Sequence, residues 1–245
     1  MTWRRGAFLL AGWLVVGIAL SPPLDAAADE SLPWHMLQHM LLLAVAPPLL
    51  ILGEPVRVAF DLLPPRRARQ LAAALRRPLL SMLLNPIVAL ALFFLIVLGT
   101  HIPTVFDSAI ESAPLHALEH LSYLAAGLLL WSAAIGADPA RKPLSIIGLT
   151  GLLTAAMIPM LAVGVVLATA SGVVYAPYAF REQPAGATAM WAGDLPFIAA
   201  LVLAGRAALK REERLQRLHE AAVERESAKT VPQERFSRTR EGGAA

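Results

Sequence analysis

The feature that most constrains this chain is its division into long apolar segments separated by basic loops. A helix needs ~20 mostly apolar residues to cross a ~30 Å hydrocarbon core. Six segments approach this length, at residues 7–23, 32–53, 84–100, 114–136, 144–171 and 189–208. Only 16% of the residues are charged, against roughly 25% in a typical soluble domain. We therefore expect an all-α integral membrane protein, a bundle of about six transmembrane helices.

The placement of Lys and Arg predicts the orientation of this bundle. If the loops alternate between the two sides of the membrane, every one of the 21 Lys and Arg residues except Arg181 falls on the side of the N-terminus. Cytoplasmic loops of membrane proteins carry the excess of basic residues. We therefore expect both termini to be cytoplasmic.

The cytoplasmic side carries two further segments. Residues 64–78 combine a basic and an apolar face at helical spacing, which predicts a helix lying on the anionic inner leaflet. Residues 209–245 follow a transmembrane domain of residues 1–208 as a charged tail, expected to be helical and then disordered. His219 in this tail is expected to be simply solvated.

Three local features modify the helical prediction. The first segment and the following DAAADE resemble a signal peptide with a cleavage site near Ala26-Ala27-Ala28, although we expect a retained helix. Cleavage would not change the orientation downstream. Pro47-Pro48 and Pro159 lie inside the second and fifth segments. Because proline removes a helical hydrogen bond and crowds the preceding turn, we expect both helices to kink or break.

Five of the six histidines fall at the predicted outer ends of helices. His35 and His39 begin the second helix, His101 ends the third, and His116 and His120 begin the fourth. Each pair is spaced i, i+4, which presents two imidazoles on one helix face, as helical metal sites do. A histidine at a membrane rim can instead serve as an amphipathic anchor. Two such pairs and a fifth histidine on one rim favour a metal or haem site.

Other polar residues near this rim are candidates for supporting roles. Glu119 adjoins His120, Tyr123 lies one turn further along, and Asp194 falls near the outer end of the sixth helix. Ionisable groups at membrane depth are costly and usually face the bundle interior. We expect Glu119 and Asp194 to orient the imidazoles by hydrogen bonding, with Tyr123 as an auxiliary group.

The identity of the metal is narrowed by the available ligands. The chain has no cysteine, so thiolate ligation is excluded. Imidazole with nearby thioethers, here Met36 and Met40, fits copper best, and zinc is possible. Methionine is also ordinary core filler. HALEH, residues 116–120, matches the H-x-x-E-H pattern of inverted zinc peptidases. A bis-histidine haem shared by two helices is a further alternative.

At these residues the sequence resembles a known family. HMLQHMLLLAVAPPLLILGEP is similar to the characteristic segment of the CtaG-type cytochrome c oxidase assembly factors, with a histidine pair, an Ala-Pro-Pro step and a Gly-x-Pro exit. HALEHLSYLAAGLLLW and the region around Gly186, Met190 and Trp191 also resemble the family pattern. The resemblance covers roughly residues 4–208. The family is usually drawn with seven spans, whereas six are predicted here.

The resemblance implies an accessory role in making an active haem–copper oxidase. It implies a multi-pass protein of the bacterial plasma (inner) membrane, whose partners are the oxidase catalytic subunit and the lipid bilayer; no nucleic acid is expected. Copper supply is the plausible task, with His35, His39, His116 and His120 as ligands and His101 as a further one. No acid–base–nucleophile set is visible, so we expect no enzyme. A haem-binding electron carrier, a zinc peptidase and a metal-free scaffold remain the alternatives.

Overall fold

The computed structural model describes residues 3–136 and 143–230. Within these ranges the chain forms helices and no strand, which confirms the all-α prediction. The helices are α1 (Trp3–Ala19), α2 (Pro22–Glu30), α3 (Leu32–Met40), α4 (Ala46–Leu52), α5 (Pro55–Leu62), α6 (Pro65–Leu75), α7 (Pro78–Leu83), α8 (Pro86–Thr100), α9 (Pro103–Ile110), α10 (Ala113–Ile135), α11 (Ile146–Thr169), α12 (Gln183–Ala192) and α13 (Leu195–Thr230). Arg141, Lys142 and the tail beyond Thr230, predicted to be disordered, lie outside the described residues.

The number of spans is compatible with the six expected. In the described part of the chain, four helical stretches are long and apolar enough to cross a membrane: Leu32–Leu52, Ala113–Ile135, Ile146–Thr169 and Phe180–Glu226. Two bent pairs, α1 with α2 and α8 with α9, raise the count to six if each pair is one span. The cytoplasmic location of the termini stays a prediction.

Prolines explain where the two bent pairs turn. The first apolar segment was predicted over residues 7–23, but α1 ends at Ala19 and Pro22 starts α2 at an angle of 47°. Likewise α8 ends at Thr100, and Pro103 starts α9 after a 74° bend. Proline suits the first turn of a helix, where its missing N–H needs no partner. His101 is thereby placed in the bend between α8 and α9.

Neither internal proline site interrupts its helix. The backbone from Leu32 to Leu52 stays helical because the turn Leu41–Val45 widens to a π-helix immediately before Pro47. The Ala46 N–H then bonds the Leu41 carbonyl, one residue further back than in an α-helix. Gly127 of α10 lies directly against the Leu43 carbonyl, which has no N–H partner at Pro47. Pro159 is buried within the continuous helix α11.

The sixth predicted segment, residues 189–208, lies within the apolar helical stretch Phe180–Glu226. The structure has two helices there, α12 and α13, separated at Gly193 and Asp194. Pro196 accounts for this break, because it fits the first turn of α13 and not the interior of a longer helix. The chain forms one compact unit up to Leu201 and a second from Val202. The second unit carries the rest of α13; the predicted domain boundary at residue 208 stays a prediction.

Polar contacts join the first two helices to the segment that carries His35 and His39. Nε2 of buried Gln38 donates to the Ala19 carbonyl at 2.9 Å and to Asp25 Oδ1 at 3.0 Å. The Arg5 guanidinium lies 3.1 Å from a carboxylate oxygen of Glu54. These contacts hold α1 and α2 against α3 and the turn after α4. Retention of α1 as a mature helix stays a prediction.

The basic segment of residues 64–78 contains the helix α6, as predicted. Its arginines are exposed, and Ala68, Leu71, Ala72 and Leu75 form a partly buried stripe at helical spacing. Its contact with anionic lipid stays a prediction.

Candidate metal centre

The structure brings all five predicted histidines together. His35 and His39 project from one face of α3, and His116 and His120 from one face of α10. His101 joins them from the bend after α8. The i, i+4 spacing of each pair is what places both rings on the inward face of its helix.

His39 lies at the centre of this histidine cluster. Its ring centroid lies 4.3 Å from that of His35, 5.4 Å from His120, and 6.3 Å from both His101 and His116. The ring pairs His35–His116 and His116–His120 are 5.1 Å and 4.2 Å apart. Four of the rings are buried and His116 is half-buried. The histidine cluster is therefore a contiguous group of imidazoles that reaches the surface through His116.

Three histidines of the cluster and one neighbouring glutamate can bind a single cation together. His35, His39, His116 and Glu119 each offer one ligand atom, and these atoms lie within 4.8 Å of one another. Nε2 of His39 is 4.0 Å from Oε2 of Glu119. We call these residues the donor quartet. Glu119 and His116 belong together because they stand three residues apart on α10 and so share a face.

The ligand atoms of the cluster lack hydrogen-bond partners. Among the residues that the structure describes, buried atoms without a partner include Nε2 of all five histidines, Nδ1 of His39 and Oε2 of Glu119. A buried polar group without a partner costs about 1–3 kcal/mol. Native proteins rarely leave several such groups in one place. The donor set is thus suited to a cation that would satisfy these atoms together.

Hydrogen bonds at Nδ1 fix the orientation of two rings. Nδ1 of His35 lies 2.9 Å from the Tyr178 hydroxyl, which itself donates to the Ala28 carbonyl at 2.7 Å. Because that hydroxyl proton is committed, Nδ1 of His35 must be the donor, and Nε2 keeps its lone pair. Nδ1 of His101 lies 2.7 Å from the Val97 carbonyl, which can only accept. Both imidazoles therefore present Nε2 as a ligand atom.

Tyr123 connects the cluster to α8. Its hydroxyl forms a short hydrogen bond with Thr100 Oγ1 and lies 3.3 Å from both Glu119 Oε1 and His101 Nδ1. The hydroxyl donates to the carboxylate, so one Glu119 oxygen is held by Tyr123 while Oε2 faces the quartet. The auxiliary position predicted for Tyr123 is therefore where the structure places it.

An aromatic cover closes the cluster on the side of residues 170–179. Tyr175 stacks on Phe106 at 3.9 Å between ring centroids and donates to the His101 carbonyl at 3.2 Å. Phe106 in turn lies 5.0 Å from the His35 ring. Burial raises the pKa of the Tyr175 and Tyr178 phenols well above their usual value, so both hydroxyls keep their protons as donors.

The other predicted auxiliary residues are Asp194, Met40 and Met36. Asp194 lies at the break between α12 and α13, outside the donor quartet, with its buried Oδ1 unpartnered among the described residues. The hydrogen bond that we expected from Asp194 to an imidazole is therefore not formed among the residues that the structure describes. Sδ of Met40 lies against Gly193, where the missing side chain leaves room for it. Met36 is fully buried in the hydrophobic core.

Sequence reasoning missed the residues that hold the histidines in place. Tyr178, Tyr175 and Gln38 all act through contacts between segments distant in sequence. One signal was present: the chain has three tyrosines, and all three lie at the histidine cluster. Phenols at a predicted metal site are natural partners for imidazole nitrogens.

The fold and the site together define a class of protein. It is a multi-helix membrane protein with a buried nitrogen- and oxygen-donor centre built from three helices and free of thiolates. A sequence profile of the cytochrome c oxidase caa3 assembly factors (Caa3_CtaG) matches residues 1–211. The chain belongs to this family.

Two curated relatives extend the comparison. The uncharacterized protein Mb0105 of Mycobacterium bovis and the uncharacterized protein MT0111 of Mycobacterium tuberculosis are each 31% identical to this chain over 175 residues. The match covers 69% of this chain and 25% of each relative, so the chain spans about a quarter of their length. No solved structure matches.

Proposed function

We propose that this protein binds copper through its histidine cluster and passes it to the catalytic subunit of a haem–copper cytochrome c oxidase during assembly. The oxidase comes from the family to which the chain belongs. The observation that supports copper is the set of buried, unpartnered Nε2 atoms beside one carboxylate oxygen. Copper is the cargo of the protein, which acts without catalysis in the bacterial plasma membrane.

The donor chemistry favours copper among the common metals. Neutral imidazoles with one carboxylate form an N/O site, and divalent copper binds such sites more tightly than its neighbours in the first transition row. His35, His39 and His116 would hold the ion, and Glu119 would offset its charge. A cation in a low-dielectric interior needs such a counter-charge.

The same site is suited to release. The donor quartet leaves two more imidazoles, His101 and His120, within ring contact of His39. Spare ligands of the same type allow stepwise ligand exchange, so copper can leave one donor while another replaces it. Half-buried His116 is where the cluster reaches the surface. The orientation predicted from Lys and Arg places this opening on the outer face of the membrane.

The alternatives fit the geometry less well. In the H-x-x-E-H peptidase pattern both histidines hold zinc and the glutamate stands apart, whereas here Glu119 is in the donor quartet and His120 is not. For haem, the imidazoles would have to face each other across a macrocycle, but they pack directly against one another. Zinc remains the closest chemical competitor, and a metal-free scaffold leaves the unpartnered nitrogens without a role.

Complementation of a strain that lacks the protein tests this function. We expect the wild-type chain to restore oxidase activity and the copper content of the purified oxidase. The His35→Ala/His39→Ala variant should reach the membrane in equal amount and restore neither at limiting copper. His219→Ala, an exposed histidine in the tail, is the matched control and should behave like wild type. Full restoration by the double variant would contradict copper delivery.

A further inference from the structure

The histidine cluster contains more ligands than one copper ion needs. The donor quartet already provides three imidazoles and a carboxylate. His101 and His120 lie outside the quartet, yet both are buried and both have an unpartnered Nε2. Structural metal sites typically have four ligands. The two further imidazoles can therefore serve a second ion.

His39 differs from His35 and His101 in its hydrogen bonding. At His35 and His101 the Nδ1 atom is engaged, by Tyr178 and by the Val97 carbonyl respectively. At His39 both ring nitrogens are buried and neither has a hydrogen-bond partner among the described residues. The donor quartet uses only one atom from each residue, so one nitrogen of His39 is left over.

Two further imidazoles, each with an unpartnered Nε2, lie beside the His39 ring. The rings of His120 and His101 lie 5.4 Å and 6.3 Å from the His39 ring. The His101 ring is nearly perpendicular to that of His39, at 86°, and its Nδ1 bond to the Val97 carbonyl leaves Nε2 as its ligand atom. The His101 and His120 rings thus lie beside His39 without belonging to the quartet.

We propose that the cluster holds two copper ions at neighbouring positions that share His39: the first in the donor quartet, the second between His39, His101 and His120. This inference rests on the proposed function, because it assumes that the cluster binds copper. When His39 binds through both nitrogens, its ring proton passes to bulk water as the second Cu(II) enters. No change of oxidation state is involved.

Titration with Cu(II) tests the proposal on the full chain in detergent. Uptake is measured in competition with a chromophoric Cu(II) chelator, and bound copper is counted after desalting. We expect two copper ions per wild-type chain and one per His101→Asn/His120→Asn chain. His219→Asn is the matched control and should keep two. Asparagine is chosen because it retains polarity and avoids a large void; elution volume and helical circular dichroism check that each variant is folded.

The outcomes separate this inference from the proposed function. One copper in the wild type, or two in the folded His101→Asn/His120→Asn variant, would overturn the second position while leaving copper binding intact. No copper in the wild type would overturn both. If the double variant does not fold, the number of copper ions bound per wild-type chain still decides between one position and two. The single variant His101→Asn then tests whether His101 is a ligand of the second position.

Discussion

The Tyr178 hydroxyl lies 2.9 Å from Nδ1 of His35, although 143 residues separate them in sequence. The same hydroxyl donates to the Ala28 carbonyl at 2.7 Å. Because its proton is used there, it accepts from His35 and leaves Nε2 of that ring free for a metal. Tyr178 is therefore a positioning residue for the donor quartet, which it does not itself join.

Removing this hydroxyl should weaken copper binding. Tyr178→Phe keeps the ring against Phe106 but releases Nδ1 of His35. Loss of a partner that orients a ligand typically lowers metal affinity by about 10–100-fold. Competition with a chelator should report a drop of this size, with bound copper per chain unchanged at saturating copper.

Tyr175→Phe is the matched control for that variant. Tyr175 belongs to the same aromatic cover, but its hydroxyl bonds the His101 backbone carbonyl and no ring nitrogen. We expect its copper affinity to stay close to wild type. Equal affinities for the two variants would contradict the orienting role of Tyr178.

Gly127 should be intolerant of a side chain. A Cβ at this position would overlap the Leu43 carbonyl and the Pro47 ring. Overpacking of this kind costs about 1–3 kcal/mol, so Gly127→Ala should lower the thermal unfolding midpoint in detergent. Gly17→Ala, which meets open space, should leave the midpoint unchanged or raise it slightly. A stable Gly127→Ala variant would show that the π-turn does not need this close contact.

Gln38 should matter for stability beyond its size. Gln38→Leu removes the bonds to the Ala19 carbonyl and to Asp25, and a buried acceptor left unpaired costs about 1–3 kcal/mol. Exposed Gln70 in α6 offers the comparison, and Gln70→Leu should have little effect. Chemical unfolding followed by circular dichroism measures the free energy of unfolding of both variants. Equal values would contradict the claim that the Gln38 hydrogen bonds stabilise the packing of α1 and α2 on α3.

The predicted orientation can be measured with single cysteines, because the natural chain has none. Glu111 and Ala73 are both exposed and fall on opposite predicted sides. A membrane-impermeant maleimide applied to intact cells should label the Glu111→Cys variant and spare the Ala73→Cys variant until the cells are lysed. The reverse pattern would invert the topology and place the histidine cluster at the cytoplasmic face.

Local sequence patterns predicted the histidine cluster because its members obey helical periodicity. The i, i+4 spacing places His35 with His39 and His116 with His120 whatever the tertiary structure. The apolar segments and the placement of Lys and Arg then brought both pairs and His101 to one side of the bundle. These inferences needed only helix geometry and the membrane, and the structure places the five rings together.

Contacts between distant segments were beyond such patterns. Tyr178 reaches His35 from residues 170–179, a stretch with no helical or strand period from which its direction could be read. Asp194 was assigned to the site because it fell at the right depth, but Pro196 breaks the helix there and places it between α12 and α13. At Pro47-Pro48 a kink or break was expected, but the helix continues through a π-turn, against which Gly127 of another helix packs closely.

The central claim is that the histidine cluster binds copper, and the copper content of purified protein tests it most directly. Wild type, His35→Ala/His39→Ala and His219→Ala chains are loaded with copper, desalted and measured by elemental analysis. We predict copper bound to the wild-type and His219→Ala chains and lost from the double variant. No copper in the wild type, or as much in the folded double variant, would contradict the account.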